Sequence, residues 1–85
     1  MVVKEIIIRN HAGLQSKMAA RFIQKASLYK SSIWIEKGER KANAKSLLGV
    51  LALSIGCGSR VILTVSGEDE DNAARELETF LLSEG

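Results

Sequence analysis

Two short segments hold the residues with chemical promise, and each reads as the start of a helix. In the first, Gly13-Leu14-Gln15-Ser16-Lys17-Met18-Ala19-Ala20 runs from a strand end through a glycine turn into an Ala-rich stretch. The free N–H groups of a helix's first turn point at any anion placed there, so this junction suits a phosphate. The side chain in position is Gln15, a carboxamide that donates and accepts hydrogen bonds. Its nitrogen lone pair is tied up in resonance, so a phosphoryl relay through Gln15 is not credible chemistry. In the second segment, Ser46 stands directly before the apolar run Leu47-Leu48-Gly49-Val50-Leu51-Ala52-Leu53. A serine there caps a helix, and position alone would explain it. Leu47, Leu48 and Leu51, however, give more apolar surface than one buried stripe needs. Part of it should face outward for a partner. A phosphate on Ser46 would meet the positive helix end, beside Lys45 and near Arg40 and Lys41.

Little else in the chain offers reactivity. His11 is the only histidine and lies four positions before Gln15. An exposed loop histidine is the plain reading, and a phosphoryl acceptor displaced to His11 is the alternative. Cys57, the only cysteine, lies between Gly56 and Gly58 without a basic neighbour in sequence, and reads as an incidental thiol. One Cys and one His do not make a metal site. No nucleophile–base pair or Gly-rich phosphate loop is present, so no cofactor, metal or catalytic activity is expected.

The elements that must position these residues follow from periodicity. Val2 to Arg9 predicts a strand, with Lys4, Ile6 and Ile8 on one face and Val3, Glu5 and Ile7 on the other. Asn10 to Gly13 turns the chain. From Ser16 to about Tyr29, Ala19, Ile23 and Ala26 recur at helical spacing with Met18 and Phe22 beside them. Ile33–Glu36 and Arg40–Asn43, either side of Lys37-Gly38-Glu39, suggest a hairpin. A short helix follows Ser46 and ends near Gly56 and Gly58. Arg60 to Ser66 alternates as a fourth strand. Glu68-Asp69-Glu70-Asp71 places four carboxylates on the first turn of a last helix, whose apolar face is Ala73, Leu77 and Phe80 or Leu81. The order β-α-β-β-α-β-α fits an α+β open-faced sandwich, a four-stranded antiparallel sheet with three helices on one face. Trp34 and Ile62 are candidates for its open side.

Eighty-five residues without proline, linker or repeat suggest a single domain over 1–85 with a thin core, so function should lie on the surface. The apolar run from Leu47 to Ile55 is too short to span a bilayer. Lys4 and Glu5 near the start do not fit a secretory leader, which points to the cytoplasm. Residues 1–45 carry ten Lys/Arg against three Asp/Glu, and residues 46–85 carry two against seven, for net charges of +7 and −5. Lys17, Arg21 and Lys25 put positive charge on one helix edge, either a solvated face or a docking patch for an acidic partner. With only four aromatic side chains to interleave, nucleic-acid binding is not expected.

Asn43-Ala44-Lys45-Ser46-Leu47-Leu48-Gly49, with Gly13-Leu14 and Ala19-Ala20 upstream and Gly67-Glu68-Asp69-Glu70 downstream, closely resembles the HPr family. HPr is the phosphocarrier of the bacterial sugar phosphotransferase system. The resemblance covers essentially the whole chain and implies the fold just described. It makes Ser46 the regulatory serine, modified by HPr kinase/phosphorylase, with Lys45, Leu47, Leu48 and Leu51 around it. The family pattern Gly-Leu-His-Ala-Arg-Pro-Ala is not kept: Gln15 replaces the phosphoryl-accepting histidine, Lys17 the arginine and Met18 the proline. A His-to-Gln change with the serine motif intact resembles Crh, the catabolite-repression branch of the family. That likeness implies an adaptor in carbon catabolite repression whose phosphoserine form is bound by a LacI-type catabolite control repressor, with Lys17 and Arg21 in the contact. Lys17 and Met18 depart from that branch as well, which has Arg and Pro there. The branch also implies a possible homodimer by exchange of the first strand, hinged at Asn10–Gly13. The alternatives left open are a phosphocarrier using His11 and an unmodified binding module.

Overall fold

The computed structural model describes residues 1–83. Its elements are β1 (Val2–Ile7), α1 (Ser16–Ala26), β2 (Ser32–Lys37), β3 (Arg40–Asn43), α2 (Leu47–Ala52), β4 (Arg60–Ser66) and α3 (Glu70–Leu82). The strands form one antiparallel sheet in the order β1-β4-β2-β3. The α+β open-faced sandwich expected from the periodicity is therefore the fold observed.

Register decides which side chains share a face. Lys4, Leu63, Ile35 and Ala42 lie across the sheet on the side that carries the helices. Val3, Thr64, Trp34 and Asn43 lie across it on the other. Ile6, Ile8, Ile33, Ile35, Val61, Leu63 and Val65 are buried, as strict alternation requires of a sheet with one covered face. Val3, Ile7 and Trp34 are exposed, and the Lys41 ammonium lies 5.1 Å from the centre of the Trp34 ring. α3 packs on β1 and β4, α2 on β3, and α1 against both other helices. The buried residues of α1 are Met18, Ala19, Phe22 and Ala26, and those of α3 are Ala73, Ala74, Leu77 and Leu81. Phe22 and Phe80 meet with ring centroids 6.2 Å apart.

Three local expectations need correction. α1 stops at Ala26 instead of running to Tyr29, because the next amides bond one residue closer: Leu28 donates to Lys25 and Tyr29 to Ala26. α2 ends at Ala52, well short of Gly56, because Ser54 takes a left-handed φ of 52°. Only Glu70 and Asp71 occupy the first turn of α3. Asp69 is the N-cap residue, yet its carboxylate turns away from its own helix. It accepts hydrogen bonds from the Ser31 hydroxyl and from the amides of Lys30 and Ser31, the latter two at 2.9 and 3.0 Å. Glu70 instead accepts from the Gly67 amide and from the N-terminal ammonium. Glycine is needed at Gly67, with φ +152°, because a Cβ there would come within 2.7 Å of Ser31 Cα.

Two stability predictions follow from these contacts. Gly13 and Gly38 both have left-handed φ, +68° and +61°, but only Gly13 would drive a Cβ into backbone, namely Ile55 O and Gly56 Cα. Gly38→Ala should therefore cost about 1–2 kcal/mol and Gly13→Ala about 2–5 kcal/mol by urea unfolding. The Ser31 hydroxyl, followed by the Lys30 amide, holds the Asp69 carboxyl below the ordinary carboxylate range. A lowered folded-state value means the contribution is complete above the unfolded value of about 3.9 and is lost as pH falls through the folded value. Asp69→Ala should thus lower the unfolding midpoint at pH 7. Its gap to the parent chain should hold down to about pH 5 and narrow below about pH 4.

Candidate functional site

The start of α1 is built by backbone contacts on its N-terminal side. Asn10 is buried; its Oδ1 accepts from Ala12 N at 2.9 Å and its carbonyl from Gly13 N at 2.9 Å. Leu14 N then donates to Ile55 O at 2.8 Å, which fixes Gln15 against the loop after α2. Gln15 is the extended N-cap residue, φ −131° and ψ 160°, and its side chain makes no capping bond. Its carbonyl accepts from Met18 N at 3.0 Å and Ala19 N at 3.4 Å. Ser16, the first helical residue, has φ +47°, an uncommon value for a residue with a Cβ. Gln15, Ser16 and Lys17 are all exposed.

Charge at this helix start is arranged against the helix's own interest. No acid occupies the first turn, and Lys17 lies in it, where the macrodipole favours anions. Lys25, in the last turn, pairs with Glu76 at 3.8 Å. Lys4 pairs with Glu78 at 3.6 Å and Lys30 with Glu68 at 3.9 Å. The opposed charges of the two halves of the chain are thus partly used to join α3 to β1 and α1, and the turn ahead of α3 to the turn before β2. Among the described residues, Lys17 and Arg21 have no acidic partner within ion-pair distance. A local excess of positive charge remains at the exposed edge of α1.

The second helix start is tightly folded on itself. Ala44 N donates to Ile33 O at 2.9 Å, anchoring the turn to β2. Asn43 Oδ1 accepts from Lys45 N at 2.8 Å, and the Asn43 carbonyl accepts from Ser46 N at 3.0 Å. Ser46 Oγ accepts from Gly49 N at 3.2 Å while its carbonyl accepts from Val50 N at 3.0 Å. The serine is a cap, as its position suggests. A Cβ on Gly49 would stand 3.3 Å from both Ser46 Oγ and Ala42 Cβ, so a larger residue would press on the hydroxyl. Val50 is the one residue of α2 that is buried. Leu47 and Leu51 remain 40% and 37% exposed, and Leu48 projects almost wholly into water. The expected outward apolar patch is present beside an exposed hydroxyl.

Two of the basic residues expected around Ser46 are engaged elsewhere. The Lys45 ammonium donates to the Tyr29 carbonyl at 2.7 Å, and Lys41 lies over Trp34 on the open side of the sheet. Neither of these two ammonium groups is bonded to the Ser46 hydroxyl. Burial, helped by the Glu76 and Asp69 carboxylates, pushes the Tyr29 phenol above its ordinary value.

The remaining candidates lie near the first helix start. His11 is exposed on the turn between Asn10 and Gly13. Cys57 is exposed, its thiol 3.9 Å from the Arg9 carbonyl. Among the described residues no group of three or more His, Cys, Asp and Glu side chains could hold a metal ion, and no pocket is present. No described helix is long and apolar enough to cross a membrane. The Asp69 clamp on residues 30 and 31 escaped sequence reasoning. A carboxylate ahead of a helix signals a cap, and nothing local indicates that it reaches across 38 positions instead.

Comparison with known proteins agrees with this fold. The family model for the "PTS HPr component phosphorylation site" matches residues 2–83. The HPr-like protein Crh of Halalkalibacterium halodurans is 42% identical over 84 residues, covering 99% of this chain and 100% of that protein. The crystal structure of HPr-C-His from Thermoanaerobacter tengcongensis gives a TM-score of 0.93 at 40% identity, over 95% of this chain and 91% of that one. Bacillus subtilis Crh, whose crystal structure is described as a domain-swapped dimer, gives 0.76 at 37% identity, over 95% and 93% of the two chains. In sequence and in fold, this chain belongs to the HPr family.

Proposed function

We propose that this chain is a regulatory member of the family, related in role to Crh, which has given up phosphoryl relay and acts through modification of Ser46. The observation that carries the reading is the pairing of an inert amide at the α1 start with an exposed, capped hydroxyl beside three outward leucines at the α2 start. Gln15 occupies the place where the family pattern has its phosphoryl-accepting histidine. An imidazole nitrogen is nucleophilic near neutral pH, and a carboxamide nitrogen is not. HPr kinase/phosphorylase is the enzyme proposed to act on Ser46. Adding about two negative charges and three acceptor oxygens there makes a group that a partner's Arg or Lys can bind, with Leu47, Leu48 and Leu51 adding apolar contact. A LacI-type catabolite control repressor is the proposed reader. Lys17 and Arg21 supply the cationic side of that contact.

The domain-swapped state of Bacillus subtilis Crh has a physical counterpart here. β1 is an edge strand that pairs only with β4, so exchanging it between two copies would rebuild the same ladder. The Asn10–Gly13 turn would be the hinge, and its four residues would have to straighten. A homodimer formed in this way is part of the proposal.

Incubation with an HPr kinase and ATP should place one phosphate on the chain, and Ser46→Ala should abolish it. An unlabelled parent chain would remove the central claim. The same Ser46→Ala change deletes the cap on Gly49 N and should cost about 0.5–2 kcal/mol by thermal unfolding. With phosphoenolpyruvate and enzyme I, no acid-labile phosphate should form. A label that disappears in His11→Ala would instead establish a carrier using His11.

A further inference from the structure

We propose that the Asn10 carboxamide is a latch that keeps the Asn10–Gly13 turn closed and thereby sets how far the chain converts to the strand-exchanged homodimer. This deepens the homodimer reading above and rests on it. Strand exchange alters little outside the turn. The ladder between β1 and β4, the Lys4–Glu78 and Arg60–Glu5 pairs, and the bonds of Ile8 to Ser59 and Gly58 all join residues 1–9 to the rest of the chain. Each of these contacts finds the same partner on a second copy, so each stabilises the monomer and the exchanged dimer alike. The balance between the two forms is left to the turn and to the entropy lost when two copies associate.

The turn is bounded by an anchor on each side. Ile8 is buried and its carbonyl accepts from Gly58 N at 2.8 Å. Leu14 is buried and its amide donates to Ile55 O at 2.8 Å. Between the anchors, two bonds hold the chain bent: Ala12 N to Asn10 Oδ1 and Gly13 N to the Asn10 carbonyl, each 2.9 Å. A closed turn keeps the Cα atoms of its first and fourth residues within about 7 Å. Straightened, three steps of about 3.3 Å carry them to about 10 Å, and neither bond survives. One of the two depends on a side chain. Asn10 and Ser31 are the two buried polar residues among the described residues. Ser31 is taken up by Asp69, whereas the Asn10 carboxamide bonds inside the turn itself. A buried amide loses free energy when its partner is withdrawn, so the closed turn is the form that Asn10 favours.

The test is the dimer dissociation constant of the full chain, measured by sedimentation equilibrium after incubation just below the unfolding midpoint so that strands can exchange. Nuclear Overhauser contacts between β1 of one copy and β4 of another, in a mixture of differently labelled chains, identify the exchanged form. Asn10→Ala removes the side-chain acceptor and should lower the dissociation constant about 3–10-fold. Asn10→Asp keeps an acceptor oxygen at the same place and should stay within about twofold of the parent. Glu5→Ala breaks its pair with Arg60 in both forms, so it should lower stability without moving the constant. A merely structural role for Asn10 would behave like Glu5. Exchanged dimer with the same constant in the parent and Asn10→Ala, or an equal fall in Glu5→Ala, would overturn the latch and leave the homodimer standing. No exchanged dimer in either the parent or Asn10→Ala would overturn the homodimer reading and this inference with it.

Discussion

The hydrogen bond from Leu14 N to Ile55 O fixes where the first helix can begin, and much of the molecule's functional layout depends on it. It requires two backbones to meet with no side chain between them, which is why Gly13 stands beside it. Once that contact is made, Gln15 is the N-cap residue of α1, and Lys17 falls in the first turn. The segment following α2 is fixed by the same bond. The arrangement therefore joins, through main chain alone, the approach to one helix start and the exit from the helix that carries the other. Main-chain geometry of this kind survives side-chain replacement. The side chains of Gln15, Lys17 and Met18 can thus vary while the scaffold around them remains.

Electrostatics give the two helix starts different characters. The acidic second half of the chain is partly consumed in pairs with Lys4, Lys25 and Lys30, most of them partly exposed and individually worth little. Their collective effect is subtractive: the acids of α3 are occupied away from the α1 start, and Lys17 and Arg21 stay uncompensated. At the α2 start the logic differs. Lys45 is drawn to a carbonyl and Lys41 to an aromatic ring, so the Ser46 hydroxyl is bordered by leucine and not by fixed cations. A charge added to such a place does not meet those two ammonium groups where they now lie, which leaves it open to an outside molecule.

Much of this was legible in the residues. β4 begins and ends at Arg60 and Ser66 as the alternation indicates, and the two faces of β1 divide as read. The apolar excess of the Ser46 helix correctly announced an exposed patch. The misreadings share a cause. Tyr29 continues the apolar stripe of α1 although the helix has already tightened and stopped at Ala26, since hydrophobic spacing does not register where hydrogen bonding changes. Asp69 and Lys45 each sit where a local rule assigns them a role, helix acid and phosphate neighbour. Each is instead used at long range, on Ser31 and on Tyr29. Local sequence carries propensity, and the partners that override it are 38 and 16 positions away.

The uncovered side of the sheet has a practical corollary. Trp34, the only tryptophan, sits there under the Lys41 ammonium, while Ser46 and the leucines of α2 belong to the helical layer. Its indole emission is a gauge of sheet integrity that stands apart from whatever docks on the helices. Loss of that signal means the strands have come apart, and a steady signal during complex formation means the scaffold has been left undisturbed.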